Sequence, residues 1–110
     1  MIFKKICGLR EVADAEYAVA CGADAIGLNL HPPSPRYVTR GMAREIADSV
    51  RESVRIVVLC VDLDAESVRE ILKLVNPDVL QFHGEEEDAF YASFGKPYWK
   101  AVPITAGDSL

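Results

Sequence analysis

The sequence lacks an apolar run of the roughly 20 residues that a membrane-spanning helix needs. Its first residues do not follow the basic, then apolar, then small-residue order of a secretory signal peptide. Positive charge is also scarce, because 12 Lys and Arg face 17 Asp and Glu, which gives a formal net charge of −5 at pH 7. Such a balance disfavours nonspecific attraction to nucleic acid or to an anionic membrane. We therefore expect a cytoplasmic protein with no nucleic-acid and no membrane partner.

Cysteines are few, odd in number and never arranged as a CxxC pair. Cys7, Cys21 and Cys60 all lie in apolar segments. This usage suits a reducing compartment better than a disulfide framework or a zinc site. By position, Cys21 lies on a predicted helix and Cys60 in mid-strand, so we assign both to the core.

The glycine-rich GxGxxG loop of a nucleotide-binding protein is absent from the first strand-to-helix turn. What the chain does contain is a strict alternation of helical segments with strand-like segments near 2–6, 25–30, 56–61, 79–82 and 98–102. Such alternation demands a parallel sheet with right-handed crossovers. The repeat of about 24 residues fits a small doubly wound sheet or a (β/α)₈ barrel, which at this spacing would need roughly 190 residues.

The helices carry recognisable start and stop signals. Residues 11–21 form an Ala-rich segment that Gly22 should close, since glycine readily takes the left-handed turn after a helix. Thr39 and Asp64 precede segments with helical apolar spacing and should act as N-caps. Acidic residues open a fourth predicted helix over 85–94, where the helix dipole favours negative charge.

Candidate functional residues follow the apolar runs, because ligands of parallel α/β folds bind at the carboxyl ends of the strands. Cys7 ends the first strand, and Lys5 on the same strand face would favour its thiolate. Arg36 lies in a proline-stiffened loop, suited to bidentate capture of a carboxylate or phosphate. Gln81 and His83 end the fourth strand, where His83 could donate a hydrogen bond into the cleft.

Each candidate also has a purely structural interpretation, which the residues alone leave open. Cys7 could be a small core hydrophobe, Arg36 a solvated loop residue, and His83 a packed histidine bonded to a backbone carbonyl. Asp62 is better explained as a turn or capping residue, and the acidic run 85–88 as a helix N-terminus, than as a catalytic pair or metal site.

Five short motifs closely resemble those of the phosphoribosylanthranilate isomerase family of tryptophan biosynthesis, and they occur in the family's order. They are KICGLR at 5–10, GADAIGLNL at 22–30, SPRYV at 34–38, QFHG at 81–84 and WKAV at 99–102. The resemblance covers essentially the whole chain. For Cys7 and Arg36, the resemblance favours the functional interpretation over the purely structural one.

The resemblance implies a (β/α)₈ barrel that catalyses an Amadori rearrangement without metal or cofactor. Its phosphosugar substrate would be N-(5-phosphoribosyl)anthranilate, and its product 1-(2-carboxyphenylamino)-1-deoxyribulose 5-phosphate. A general acid protonates the ring oxygen to open the sugar, and a general base then takes the C2′ proton. By this resemblance Cys7 is the base and Arg36 holds the anthranilate carboxylate. From their position at the end of the fourth strand, we expect Gln81 and His83 to be further substrate-binding residues.

The sequence also departs from the family pattern. The family's general acid, an aspartate beyond the WKA motif, and its phosphate loops after strands 7 and 8 have no match. Asp108 does not occupy the acid's position, and residues 103–110 resemble a strand-to-helix loop before a helix. We therefore predict that residues 1–110 form a single incomplete barrel domain, with four βα units and a fifth strand, that is inactive by itself.

Two other hypotheses stay open. The chain could be a non-catalytic half-barrel that self-associates or completes a barrel with a partner, because strands 1 and 5 would be unpaired edges with apolar faces nearby. It could instead be another phosphosugar-binding or doubly wound protein. That last hypothesis requires Cys7 and Arg36 to lie far apart or at the amino-terminal side of the sheet.

Overall fold

The computed structural model describes residues 3–83 and 88–101, with the last two of these described by their backbone alone. Five strands alternate with four helices along this part of the chain. In chain order they are β1 (Lys5–Cys7), α1 (Val12–Ala20), β2 (Ala25–Asn29), α2 (Arg40–Val50), β3 (Arg55–Val61), α3 (Ala65–Val75), β4 (Val79–His83), α4 (Asp88–Ala92) and β5 (Tyr98–Ala101).

The five strands form one parallel sheet in the order β1-β2-β3-β4-β5. Each strand therefore pairs with the strand that precedes it in sequence, and the sheet always grows in one direction. A doubly wound sheet reverses its strand order at a switch point, whereas a barrel does not. Over the described residues, the order is that of a (β/α)₈ barrel.

Local signals set the helix boundaries much as the sequence predicts. The Thr39 hydroxyl accepts a hydrogen bond from the Met42 amide, and the Asp64 carboxylate accepts one from Ser67, so both residues are N-caps. Gly22 has a φ of +88° and closes the first βα unit in the left-handed conformation. These bonds satisfy amide groups that the first turn of a helix leaves without partners.

The core has two layers because successive strand residues point to opposite faces of the sheet. Residues such as Ile26, Val58 and Phe82 face outward and join the helices in the main apolar cluster. Residues Ala25, Val57 and Val79 form a smaller buried cluster of their own. The small cluster lies on the opposite face, which we call the concave face because the cavity described below opens on it. The functional side chains occupy this face nearer the carboxyl ends of the strands.

Several boundaries differ from those that the sequence predicts. The first strand covers Lys5–Cys7, so residues 3 and 4 do not belong to it, and the fourth helix ends at Ala92 instead of continuing to residue 94. The predictions for residues 1–2, 84–87 and 102–110, including the segment that holds Asp108, lie outside the described residues.

Cys21 is not a core residue, and that prediction was wrong. It is exposed and follows the last turn of α1 as its C-cap, with its amide bonded back to helix carbonyls. Apolar neighbours along the sequence suggested burial, but α1 turns its Ala15 and Ala18 face to the sheet and leaves the helix end in solvent. Cys60 is buried among outward-facing strand residues, as predicted.

The longest of the described helices have 11 residues, and none is long and apolar enough to cross a membrane.

Candidate active site

A cavity of about 160 Å³ opens on the concave face of the sheet toward the carboxyl ends of the strands. Strands β1 to β4 and the loop after β2 contribute to it. Its lining consists of Lys5, Cys7, Gly8, Gly27, Leu28, Asn29, Arg36, Val57, Leu59 and Gln81. The structure therefore brings three of the four sequence-predicted site residues, Cys7, Arg36 and Gln81, to one place.

The Cys7 thiol occupies space that Gly27 leaves open. The two residues are register partners on β1 and β2, and Cys7 is exposed to the cavity. A Cβ atom on Gly27 would stand only 2.7 Å from Cys7 Sγ and 3.5 Å from Lys5 Cε. Real Cβ atoms essentially never approach a neighbour that closely. The glycine therefore allows the Cys7 thiol and the Lys5 stem to lie side by side at the cavity wall, and Cys7 is no core hydrophobe.

The Arg36 side chain lies against Gly8, the residue that follows Cys7. Gly8 has a φ of +82°, which a residue with a side chain rarely adopts. A Cβ there would stand 3.0 Å from Arg36 Cδ and 3.3 Å from Arg36 Nε. The loop after β2 therefore folds back over the end of β1. A guanidinium and a thiol share the cavity rim, although they are 29 positions apart in the sequence.

Lys5 supplies a positive charge to the same wall of the cavity. Its ammonium donates a hydrogen bond to the Gln81 side-chain oxygen on β4. It also lies 5.2 Å from the centre of the Trp99 ring, a cation–π distance. Trp99 in turn meets Phe3 edge to face at 6.3 Å between ring centres. Gln81 therefore holds Lys5 across the concave face in addition to lining the cavity.

His83 and Asp62 lie at neighbouring strand ends but do not line this cavity. His83 is exposed at the last position of β4, next to Val61 in the sheet register. Asp62 follows β3 in the left-handed conformation with a φ of +50°, which Asp tolerates well. The turn interpretation of Asp62 fits this geometry. Of the acidic run, only Asp88 is described, and it opens α4.

The thiol of the buried Cys60 has low reactivity. Burial raises the pKa of the Cys60 thiol to about 12 and outweighs the Arg40 charge, which acts in the opposite direction. A thiol in that state stays protonated and is a poor nucleophile. Within residues 3–83 and 88–101, no group of three or more His, Cys, Asp or Glu side chains could hold a metal ion.

Sequence reasoning missed the roles of Gly27 and Asn29. A glycine inside an otherwise apolar strand marks a close approach, and Gly27 carried that signal within AIGLNL. Asn29 was a polar residue at the strand end, beside a proline-rich loop. Neither feature of the sequence predicts which residues Gly27 and Asn29 contact. Those contacts are defined only by the tertiary structure.

Residues 4–107 match the family of N-(5′-phosphoribosyl)anthranilate (PRA) isomerases. The chain belongs to this phosphoribosylanthranilate isomerase family. An N-(5′-phosphoribosyl)anthranilate isomerase from Neisseria gonorrhoeae is 44% identical over 105 residues, which cover 94% of this chain and 50% of that protein. The chain thus spans about half the length of the curated relatives it matches.

Solved phosphoribosylanthranilate isomerases share the fold as well. One, in complex with reduced 1-(o-carboxyphenylamino)-1-deoxyribulose 5-phosphate, is 31% identical and superposes with a TM-score of 0.88 over 96% of this chain and 55% of its own. A monomeric form of the dimeric isomerase from Thermotoga maritima is 32% identical, with a TM-score of 0.86 over 98% of this chain and 56% of its own. The predicted fold, part of a (β/α)₈ barrel, is confirmed, and a doubly wound sheet is excluded.

Proposed function

We propose that this chain supplies the amino-terminal half of a phosphoribosylanthranilate isomerase. The substrate is the phosphosugar N-(5-phosphoribosyl)anthranilate, and the product is its aminoketose isomer. One observation supports the proposal above the others: Cys7 and Arg36 line one cavity at the carboxyl ends of parallel strands, where ligands of this fold bind. Family membership and the substrate-like ligand bound to a solved relative agree with it.

In the proposed reaction Cys7 is the general base. An acid protonates the ring oxygen of the ribose, and the ring opens to a Schiff base between C1′ and the anthranilate nitrogen. The Cys7 thiolate then takes the proton from C2′, and the electron pair of that bond forms the C1′–C2′ double bond of an enolamine. A proton then returns to C1′ while the C2′ hydroxyl loses its proton to the deprotonated acid, which gives the ketone and restores both catalytic groups, so no atom is gained or lost.

The charges around Cys7 suit this step. Lys5 places a cation on the same strand face as the thiolate, and the Gln81 oxygen and Trp99 ring hold that cation in place. The Arg36 guanidinium offers parallel donors to the anthranilate carboxylate at the cavity rim. His83 and Gln81, both on the concave side of β4, are proposed as further substrate contacts.

The acid and the phosphate contacts belong, in this proposal, to the other half of the barrel. We expect the 110-residue chain to be inactive by itself. Loss of a general acid costs on the order of 10² to 10⁴ in rate. Loss of the phosphate contacts also removes binding energy that positions the sugar.

The test uses a joined barrel, in which this chain is fused to the residues that follow the matched segment in the Neisseria gonorrhoeae isomerase. Conversion of the aminoaldose to the aminoketose is followed by chromatography. We expect turnover by the joined barrel, a loss of at least about 10²-fold in the Cys7→Ala variant, and no loss in the matched Cys21→Ala variant. Full activity of Cys7→Ala would remove Cys7 from its proposed role.

The half-barrel hypothesis also has an observation in its favour. β1 and β5 are the two edge strands of the described sheet, and Phe3 and Trp99 beside them are 54% and 38% exposed. Self-association would cover both. A chain that sediments as a monomer would contradict this second function, and a joined barrel without turnover would favour it.

We further propose a cytoplasmic location, with no nucleic-acid or membrane partner. The three free cysteines suit a reducing compartment, and the net charge of −5 supports the exclusion of polyanionic partners.

A further inference from the structure

The loop that carries Arg36 is rigid for reasons beyond its prolines. Residues 31–36 read HPPSPR, and they leave β2 and return toward it before α2 begins. Arg36 has to stand at the cavity rim although it is exposed and belongs to neither a strand nor a helix. Something in the loop must therefore set its position.

Asn29, the last residue of β2, fastens this loop at both of its ends. Its side-chain oxygen accepts a hydrogen bond of 2.8 Å from the His31 amide, at the start of the loop. Its backbone carbonyl accepts one of 2.9 Å from the Val38 amide, at the end, beside a parallel bridge between Asn29 and Tyr37. One strand residue thereby fixes the points where the loop leaves the sheet and where it returns.

Ser34 connects Asn29 to the backbone of Arg36 inside the loop. The Asn29 side-chain nitrogen donates to Ser34 Oγ at 3.1 Å, and the Arg36 amide donates to the same oxygen, also at 3.1 Å. The Ser34 hydroxyl therefore links the cavity wall to the residue that carries the guanidinium. Both Asn29 side-chain atoms are engaged in the loop, although the residue also lines the cavity.

We propose that Asn29 and Ser34 are positioning residues for substrate recognition: they hold the Arg36 backbone so that its guanidinium stands over the cavity before the substrate carboxylate arrives. This inference rests on the proposed function, in which Arg36 binds that carboxylate. A preformed binding group spends less of its interaction energy on ordering itself, so the substrate binds more tightly.

The test compares two substrates in the joined barrel. One is N-(5-phosphoribosyl)anthranilate, and the other is its aniline analogue, which has hydrogen in place of the carboxylate. We expect Ser34→Ala to raise KM for the first substrate by about 3- to 10-fold. It should leave kcat and the kinetics of the analogue nearly unchanged, because the two hydrogen bonds that it removes, from Asn29 and from the Arg36 amide, act only on the position of Arg36. Ser34→Thr, which keeps the hydroxyl, should restore KM.

Two controls separate positioning from general damage. Ser49→Ala removes a hydroxyl that donates to a helix carbonyl at 2.7 Å in α2, away from the cavity, and should leave both substrates unaffected. Amide hydrogen exchange gives a readout that does not depend on activity. Exchange of the Arg36 amide should become faster in Ser34→Ala and stay unchanged in Ser49→Ala.

Arg36→Met distinguishes the inference from the function on which it rests. Suppose that Arg36→Met raises KM only for the substrate with the carboxylate, while Ser34→Ala changes KM equally for both substrates or for neither. The positioning role is then wrong, and the carboxylate contact stands. If Arg36→Met changes KM equally for the two substrates, the proposed carboxylate contact is wrong, and the positioning role is wrong with it. An Arg36 amide that exchanges at the same rate with and without the Ser34 hydroxyl would also overturn the inference.

Discussion

Gly27→Ala tests the close approach on which the geometry of the Cys7 site depends. The added methyl group would lie 2.7 Å from Cys7 Sγ, whereas ordinary contacts begin at 3.4 Å. Gly27 lies on an interior strand of the sheet, so its backbone has little freedom to retreat. The thiol must therefore move, and a shift on the order of 1 Å can cost about 10²-fold in rate.

The stability effect can be estimated from two opposing contributions. Overpacking a fitted site costs about 1–3 kcal/mol, while replacing a strand glycine by alanine recovers about 0.5–1 kcal/mol of backbone entropy. We expect a net loss of up to about 2.5 kcal/mol in the free energy of unfolding, measured by urea denaturation. If Cys7 Sγ is the obstacle, adding Cys7→Ala should remove most of that loss.

Gly41→Ala is the matched control for this substitution. Gly41 lies in α2, and a Cβ there would meet nothing within 4 Å. Its replacement should raise the free energy of unfolding by about 0.5–1 kcal/mol through helix propensity, with no effect on turnover by the joined barrel. Equal stability and activity of the Gly27→Ala and Gly41→Ala proteins would contradict the close approach. So would a Cys7→Ala substitution that leaves the stability cost of Gly27→Ala unchanged.

Three further results are expected. Because burial raises the pKa of Cys60 to about 12, iodoacetamide at pH 8 should leave Cys60 unmodified in the folded protein and modify it in urea, as mass spectrometry would show; rapid labelling in the folded state would contradict its burial. The hydrogen bond from Ser67 lowers the pKa of the Asp64 carboxyl in the folded protein. The ionised Asp64 therefore stabilises the fold above the ordinary carboxyl pKa of about 3.9, and this stabilisation is lost as pH falls through the lower pKa of the folded state. Asp64→Asn keeps a cap and should flatten that part of the pH profile in urea titrations, and an unchanged profile would argue against the cap. Gln81→Leu removes the hydrogen-bond acceptor of the Lys5 ammonium and should lower kcat in the joined barrel about 3- to 10-fold. Gln81→Glu keeps an acceptor and should retain more activity. Equal kcat in these two variants and the unsubstituted joined barrel would show that this hydrogen bond has no role in turnover.

Local interactions explain why much of the fold could be predicted. Thr39 and Asp64 cap helices because their side-chain oxygens reach amides three residues ahead, a contact that needs no distant partner. Gly22 adopts its left-handed conformation for an equally local reason. The alternation of strands and helices then demanded a parallel sheet, and the family motifs singled out Cys7 at the end of the first strand and Arg36 in the loop after the second.

What the sequence could not predict has a common cause, which is that burial and contact depend on packing between distant segments. Cys21 follows an Ala-rich helix whose sequence favours no single buried face, so only packing on the sheet decided that its end is exposed. His83 follows the strand rule as well as Gln81 does, yet only Gln81 lines the cavity. His83 is the last residue of β4, whereas Gln81 lies two residues further inside the sheet, where the cavity is. The alternation pattern of a strand gives the face of a residue but not its distance from the cavity.

The sequence by itself determined the order of elements, the helix caps and the residue types available at the strand ends, since these follow from backbone and side-chain chemistry within a few positions. Tertiary structure alone decided which of those residues meet. Strand register brings the Cys7 thiol into the space above Gly27, and the loop after β2 returns to lay Arg36 over Gly8. Such contacts join segments 20 or more residues apart, and they form only when the strands pair side by side.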